Sequence, residues 1–236
     1  MPLSQASLTK SLPLRETLRE NYAPPGLDRA VASGLDTAVS RPATSADVPA
    51  VAACLASAFF DDPLWGHWTF PDEHSRAVKM DMFMRFWAAT AVRDPWVWMT
   101  DDCESVALWH PPGEPELTPE QEKELWPLVD ELFGHRATEL RALFDQFDEH
   151  HPQDEPHFYL AWWATHRDHA GRGLGTRLIR ENLAEIDARG LPAALESTNP
   201  ANLPRYEALG FVRRSEFGPP GGPVITTMWR NAAVSG

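Results

Sequence analysis

Residues 157–176, HFYLAWWATHRDHAGRGLGT, constrain the fold of this chain more than any other stretch. Phe158 to Trp163 is an apolar and aromatic run with the length and composition of a buried strand. A polar turn at His166–His169 leads into Gly171-Arg172-Gly173-Leu174-Gly175. From Thr176 the pattern turns helical: Ile179, Leu183 and Ile186 stand at i, i+4 and i+7, and Gly190 is placed as a stop. A strand, a glycine turn and a helix make a natural anion site. The first helical N–H groups lack intrahelical partners, and the helix dipole adds positive potential there. Glycine lets backbone approach the anion closely, and Arg172 and Arg177 add charge. The dinucleotide fingerprint G-x-G-x-x-G does not fit, because its third glycine is missing, and no Gly-Lys-Ser/Thr follows for a Walker loop. From these residues alone, an ordinary tight turn and a phosphate site both remain open.

The residues that follow narrow the choice. A second strand at Pro192–Glu196 precedes Ser197–Pro204, a short helix at Arg205–Leu209 stopped by Gly210, and a strand at Phe211–Arg213. Strand, glycine turn, helix, strand is a right-handed crossover with parallel strands. It puts Glu196 at the same sheet edge as the glycine turn, where ligands of such sheets bind.

At Ala170-Gly171-Arg172-Gly173-Leu174-Gly175 the chain resembles the GNAT superfamily of acetyl-CoA-dependent N-acetyltransferases, whose phosphate signature is Arg/Gln-x-x-Gly-x-Gly/Ala. Ala170 departs from it, standing where the family prefers Gln or Arg; most of the cradle is backbone N–H. Asp168-His169, Leu195-Glu196, Asn202-Leu203-Pro204 and Tyr206-Glu207-x-Leu209-Gly210-Phe211 resemble the puromycin N-acetyltransferase-like branch of actinobacteria. So do Arg41–Pro49 and Ala107-Leu108-Trp109, so the likeness spans roughly residues 37 to 230. The resemblance implies an α/β GNAT fold: a mixed, mostly antiparallel sheet with a central parallel strand pair, flanking helices and a helical insertion before the cofactor-binding strand. It implies acetyl-CoA as co-substrate, no metal, and a small-molecule amine as acceptor. Cofactor contacts then fall on Trp163, Ala164 and Thr165, whose backbone N–H groups face the oxyanion, and on Gly171, Arg172, Gly173, Leu174, Gly175, Thr176 and Asn202. Tyr206 matches the family's tyrosine that protonates the leaving thiolate.

The attacking amine imposes its own requirement. An alkylamine of pKa ~10 is protonated at pH 7, and freeing its lone pair costs ~4 kcal/mol. A carboxylate beside the acceptor takes that proton directly or through water. Glu196 is the candidate base; a surface carboxylate at a strand end is the plain alternative, and His166 is a second-choice base. Asn202 and Tyr206 also have plain readings, as a helix cap and as an aromatic packing a short helix on the sheet.

Charge separates the two parts of the chain. The net charge of −13 argues against nucleic-acid binding, and residues 157–236 hold nine Lys/Arg against seven Asp/Glu, leaving −15 on residues 1–156. A negative wall steers a cation, so the expected acceptor is a small cationic amine, plausibly an antibiotic or secondary metabolite, with Trp65, Trp68 and Trp87 as stacking surface. The plain alternative is a solvated acidic face. Much of the acid lies in a helical insertion at residues 114–155, thirteen acidic residues against three basic, whose second helix sets Leu140, Leu143, Phe144 and Phe147 on one face. His150-His151 there reads as a solvated helix end rather than a metal site.

The domain is expected over residues 37–236, after an extension at 1–36 that is partly disordered or holds a short helix near Leu12–Asn21. Thr44 or Ser45 caps a helix running to about Phe60, Asp72 starts a second, and Trp96–Thr100 with Ser105–Trp109 forms a hairpin. Val224–Trp229 is a final strand. Cys54 reads as core and Cys103 as a polar turn residue, too far apart in sequence for a disulfide framework. No run reaches the ~18 apolar residues of a membrane span and no signal-peptide core is present, so the expected location is cytoplasmic, as monomer or homodimer without membrane partners. A catalytically silent CoA-binding module, an acetyltransferase of protein amines, and an interaction protein built on the insertion are the competing classes.

Overall fold

The computed structural model describes residues 40–93, 96–153 and 155–233. The expected extension, with its helix near Leu12–Asn21, lies outside the described residues. The strands are β1 (Ser40–Pro42), β2 (Val97–Thr100), β3 (Ser105–His110), β4 (Phe158–Thr165), β5 (Ala193–Ser197), β6 (Val212–Phe217) and β7 (Ile225–Arg230). They form one sheet in the order β1-β2-β3-β4-β5-β7-β6. Only β4 and β5 are parallel; every other neighbouring pair is antiparallel. The mixed sheet with a central parallel pair is therefore present.

Helices α1 (Val48–Phe59), α2 (Glu73–Ala91), α3 (Pro119–Phe133) and α4 (Ala137–His150) gather on one face of this sheet; α5 (Leu174–Ala188) covers the other. α5 sets Leu178, Ile179, Leu183 and Ile186 against Phe158, Leu160, Leu195 and Met228. On the opposite face Leu55, Phe83, Trp87, Val129 and Leu143 share a core with Leu108 and Trp162.

β4 serves both cores because it changes sides midway. Against β3, Trp109 faces Leu160 and Leu108 faces Trp162, which leaves Ala161 as an extra residue. Such a bulge inverts the alternation of side chains. Phe158 and Leu160 point to α5, whereas Trp162 and Ala164 point to α1 and α2.

The acidic insertion packs as core. α3 opens on a reciprocal cap between Thr118 and Gln121 and places Leu125, Val129 and Leu132 inward. α4 buries Leu140 and Leu143, and its Phe147 stacks on Trp65 with centroids 6.0 Å apart. Lys79 Nζ donates to the Leu132 carbonyl at 2.7 Å, and Arg136 Nη1 to that of Trp68 at 2.8 Å. Between α1 and α2 the chain makes one wide helical turn at Pro63–Trp68 with i→i+5 bonds: the His67 N–H donates to Asp62 O at 2.9 Å and the Thr69 N–H to Leu64 O at 2.8 Å. Cys103 also differs from expectation. It is buried at φ 55° beside Cys54, both are free thiols, and the neighbouring thiol and burial push Cys54 up.

Asp47 ties β1 to the entry of α1. Arg41 donates to it through two nitrogens at 2.9 and 2.7 Å, and Thr44 donates its N–H and hydroxyl at 2.8 Å each. The Arg41 bond, followed by those of Thr44, holds the Asp47 carboxyl well below its ordinary range. Asp47→Ala is expected to cost about 1–2 kcal/mol in a urea melt at pH 7. A depressed carboxyl stabilises above its unfolded pKa of ~3.9 and loses that contribution as pH falls, so the wild-type advantage should shrink in acid. An equal difference at pH 7 and pH 3 would refute this account.

Candidate active site

The glycine turn has the backbone of an anion cradle. Gly171 and Gly173 both take φ 78°, a conformation that L side chains rarely adopt, and Gly173 is the cap of α5. The helix starts at Leu174 rather than Thr176, because this left-handed glycine turns the chain into it. The Arg177 N–H donates to Gly173 O at 3.0 Å. Ahead of it, the N–H groups of residues 171–176 find no backbone acceptor among the described residues. A Cβ at Gly171 or Gly173 would meet open space. Gly175 is different: its Cβ would stand 2.5 Å from Thr165 Oγ1, 3.1 Å from Trp163 Nε1 and 3.2 Å from Ser105 Oγ. The missing side chain lets the first turn of α5 lie directly on β4. Outside the turn, Gly173, Thr176, Arg177 and Arg180 line an open cleft. Unbonded N–H groups, left-handed glycines and flanking arginines fit a pyrophosphate, as acetyl-CoA carries. Exposed Arg172 rests its Nη1 3.3 Å from His169 Nδ1, and exposed Ala170 lends the turn no polar side chain.

The parallel strands separate just beyond this point. Their pairing ends at Leu160 with Leu195, so from Ala161 to Thr165 the β5-facing edge of β4 has no strand partner among the described residues. That edge includes the backbone of Trp163, Ala164 and Thr165. Glu196 is the next residue of β5, at the mouth of the opening. Alternation turns it to the α1–α4 face, opposite α5, where Tyr159 and Thr227 also lie. Its side chain is 1 % exposed. Oε1 lies 3.3 Å from His151 Nδ1, and Oε2 is buried with no hydrogen-bond partner among the described residues. His151 Nε2 is 3.2 Å from His157 Nε2, and His157 Nδ1 is 2.7 Å from the Glu155 carbonyl. Tyr159 packs edge-on to the His151 ring, centroids 4.6 Å apart, and burial with the charges of Glu196 and Glu116 raises its phenol well above its ordinary value.

Tyr206 stands on the other side of the opening. Its ring meets Trp163 at 5.7 Å and Phe211 at 6.1 Å, and burial pushes its phenol up to about 12. It is therefore a neutral hydrogen-bond donor across the physiological range. Asn199, not Asn202, caps the turn after β5 by accepting from the Ala201 N–H at 3.0 Å, and Asn202 makes no capping bond at α6 (Leu203–Glu207). His166 is occupied in its turn, where Nδ1 accepts the Asp168 N–H at 3.4 Å.

Two parts of the site were not foreseen. Asp62 is buried at the end of β5. It accepts the Leu64 and Trp65 N–H groups at 2.9 Å each and the Thr198 hydroxyl at 3.3 Å, while burial raises its pKa against those bonds. The run Asp61-Asp62-Pro63 is a cap-and-proline signal that marks this turn. The second part is His151, which is not a solvated helix end: α4 delivers it onto Glu196. Trp65 and Trp87 correct the expected stacking surface, because they are 6 % and 3 % exposed core residues. Trp68 alone stays partly open, with the Arg136 guanidinium 4.9 Å over its ring.

Known proteins are similar to this chain. The acetyltransferase (GNAT) family model matches residues 108–211. An uncharacterized N-acetyltransferase of Schizosaccharomyces pombe is 28% identical over 179 residues, covering 70% of this chain and 71% of the relative. Two solved structures share the fold. An acetyltransferase from Corynebacterium glutamicum, described as histone acetyltransferase HPA2 and related, aligns over 84% of this chain and 97% of its own at TM-score 0.59 and 23% identity. Arylalkylamine N-acetyltransferase 2 of Aedes aegypti aligns over 83% and 99% at TM-score 0.57 and 17% identity. The family match runs from β3 across the divergent strands and the glycine turn, and together with the relative it supports an acetyltransferase enzyme similar there to the GNAT family.

Proposed function

We propose that the chain transfers an acetyl group from acetyl-CoA to the amine of a small molecule, within the puromycin N-acetyltransferase-like branch. Gly171, Arg172, Gly173, Leu174, Gly175 and Thr176 hold the pyrophosphate, and Asn202, free of capping duty, contacts the cofactor. Acetyl-CoA supplies the thioester carbonyl that the amine attacks. Trp163, Ala164 and Thr165 offer the unpaired edge of β4, whose N–H groups are oriented in advance for developing negative charge. Glu196 takes the amine's proton, and Tyr206 gives one to the departing thiolate. The observation that carries this reading is Glu196 at the strand divergence, with Oε2 buried and without a hydrogen-bond partner among the described residues. A base needs one lone pair available to the substrate, and this carboxylate keeps one.

The acceptor is a small cationic amine, an antibiotic or a secondary metabolite. Glu116, Asp148 and Glu196 cluster on that face: burial first, and also the charge of neighbouring carboxylates including Glu196, push Glu116 and Asp148 up. A cation relieves that repulsion and an anion worsens it. In a thermal-shift titration, acetyl-CoA at about 100 times its Kd is expected to stabilise the protein by about 2.7 kcal/mol. A thiol-release screen over small amines, antibiotics and lysine peptides then identifies the acceptor. Absence of any stabilisation by acetyl-CoA would defeat the cofactor assignment, and turnover confined to lysine peptides would replace the small-molecule acceptor with a protein.

A further inference from the structure

The chain of contacts leading away from Glu196 has a polarity that can be worked out bond by bond. The Glu155 carbonyl only accepts, so His157 Nδ1, 2.7 Å away, carries a hydrogen. A neutral His157 then presents a lone pair at Nε2. His151 Nε2, 3.2 Å from it, must donate. That leaves His151 Nδ1 facing Glu196 Oε1 at 3.3 Å, where a neutral imidazole would set lone pair against carboxylate. One proton must lie between Glu196 and His151. Held on His151, it makes an imidazolium beside a carboxylate.

We propose that His151 is a positioning residue for Glu196: an imidazolium delivered by the insertion that holds the buried base ionised with Oε2 toward the acceptor. His157 serves it by locking the tautomer. The inference rests on Glu196 being the base, as argued above. A carboxylate with 1 % of its side chain exposed is costly to leave without a charged partner, and an imidazolium at hydrogen-bond distance offsets that cost. The groups facing His151 supply its charge from several elements: Glu196 from β5, Asp148 from α4 and Glu116 from the segment before α3, with Tyr159 and His157 from β4 and its approach. Burial works against a charge on His151, but the hydrogen bond and charge of Glu196, then Glu116 and Asp148, outweigh it and raise its pKa. His157 is lowered, first by burial and also by the charge of His151. Both directions match the polarity read from the bonds.

The test is nitrogen NMR of the histidines in the full chain from pH 5 to 9, with single substitutions assigning the signals. At pH 7 His151 is expected to carry hydrogens on both nitrogens and His157 only on Nδ1. In Glu196→Gln the loss of protons from His151 should move down by a pH unit or more. A His151 that is neutral at pH 7, or that titrates alike with and without Glu196, overturns the proposal. The kinetic counterpart is His151→Gln, which keeps a donor for Oε1 without the charge. With acetyl-CoA and the amine found by the screen, the acid limb of kcat/KM should shift to higher pH by about one unit, and His151→Lys should restore part of it. A purely structural His151 would leave that limb in place. If His151→Gln fails to fold, the wild-type protonation states still decide. Full turnover in Glu196→Gln would remove the base assignment itself, whereas loss in that variant beside an unmoved limb in His151→Gln would refute only the role of His151.

Discussion

Glu196→Gln is expected to lower kcat by about 10²–10⁴-fold, the range for loss of a general base, while acetyl-CoA binds as in the wild type. Glutamine preserves the shape and meets His151 Nδ1 either way, its carbonyl oxygen accepting from an imidazolium or its amide N–H donating to a neutral ring. What it loses is the proton acceptor at Oε2, the atom with no hydrogen-bond partner among the described residues. The turn proposed to hold the cofactor lies across the strand divergence on residues 171–176, so its thermal-shift response should be untouched. Steady-state kinetics with a protonated amine, paired with that titration, give the answer. Undiminished kcat would transfer the base to water or to another group on this face, Asp62 foremost.

The second large effect belongs to Gly175. Gly175→Val is expected to abolish stabilisation by acetyl-CoA and to lower stability by about 1–3 kcal/mol, as overpacking does. The new side chain would need the space now held by Thr165 Oγ1 and Trp163 Nε1. Sliding α5 away is resisted by Leu178, Ile179, Leu183 and Ile186, all buried in the core on that face. The turn must distort, and with it the N–H groups ahead of Arg177. Gly173→Ala is the control. Its Cβ meets open space, so the penalty is the left-handed backbone, about 1 kcal/mol, and part of the cofactor response should survive. A Gly175→Val protein that binds acetyl-CoA as well as the wild type would locate the pyrophosphate elsewhere.

The glycine turn and the place of Glu196 at the sheet edge were readable in the sequence because each is a local pattern. Glycine spacing after an apolar run defines the turn, and a strand that follows one crossover helix returns to the same edge. The bulge at Ala161 was not readable: Phe158–Ala164 is apolar throughout, so no alternation is there to break. Trp65 and Trp87 were expected at the acceptor and lie in the core, since α4, from a distant segment, covers them. The same distance hid His151. It is 45 positions from Glu196, and the turn that brings it there lies between α4 and β4, where a polar helix end looks like any other.

α4 does two jobs with one set of residues. The helix that stacks Phe147 on Trp65 also ends at the imidazole on Glu196. Foundation and chemistry therefore share a lever. A substitution that lets this helix settle by a fraction of an ångström would leave the cofactor groove intact and yet retune the acidity at which the enzyme works. Homologues with a different insertion would then differ first in their pH optimum, before they differ in what they bind.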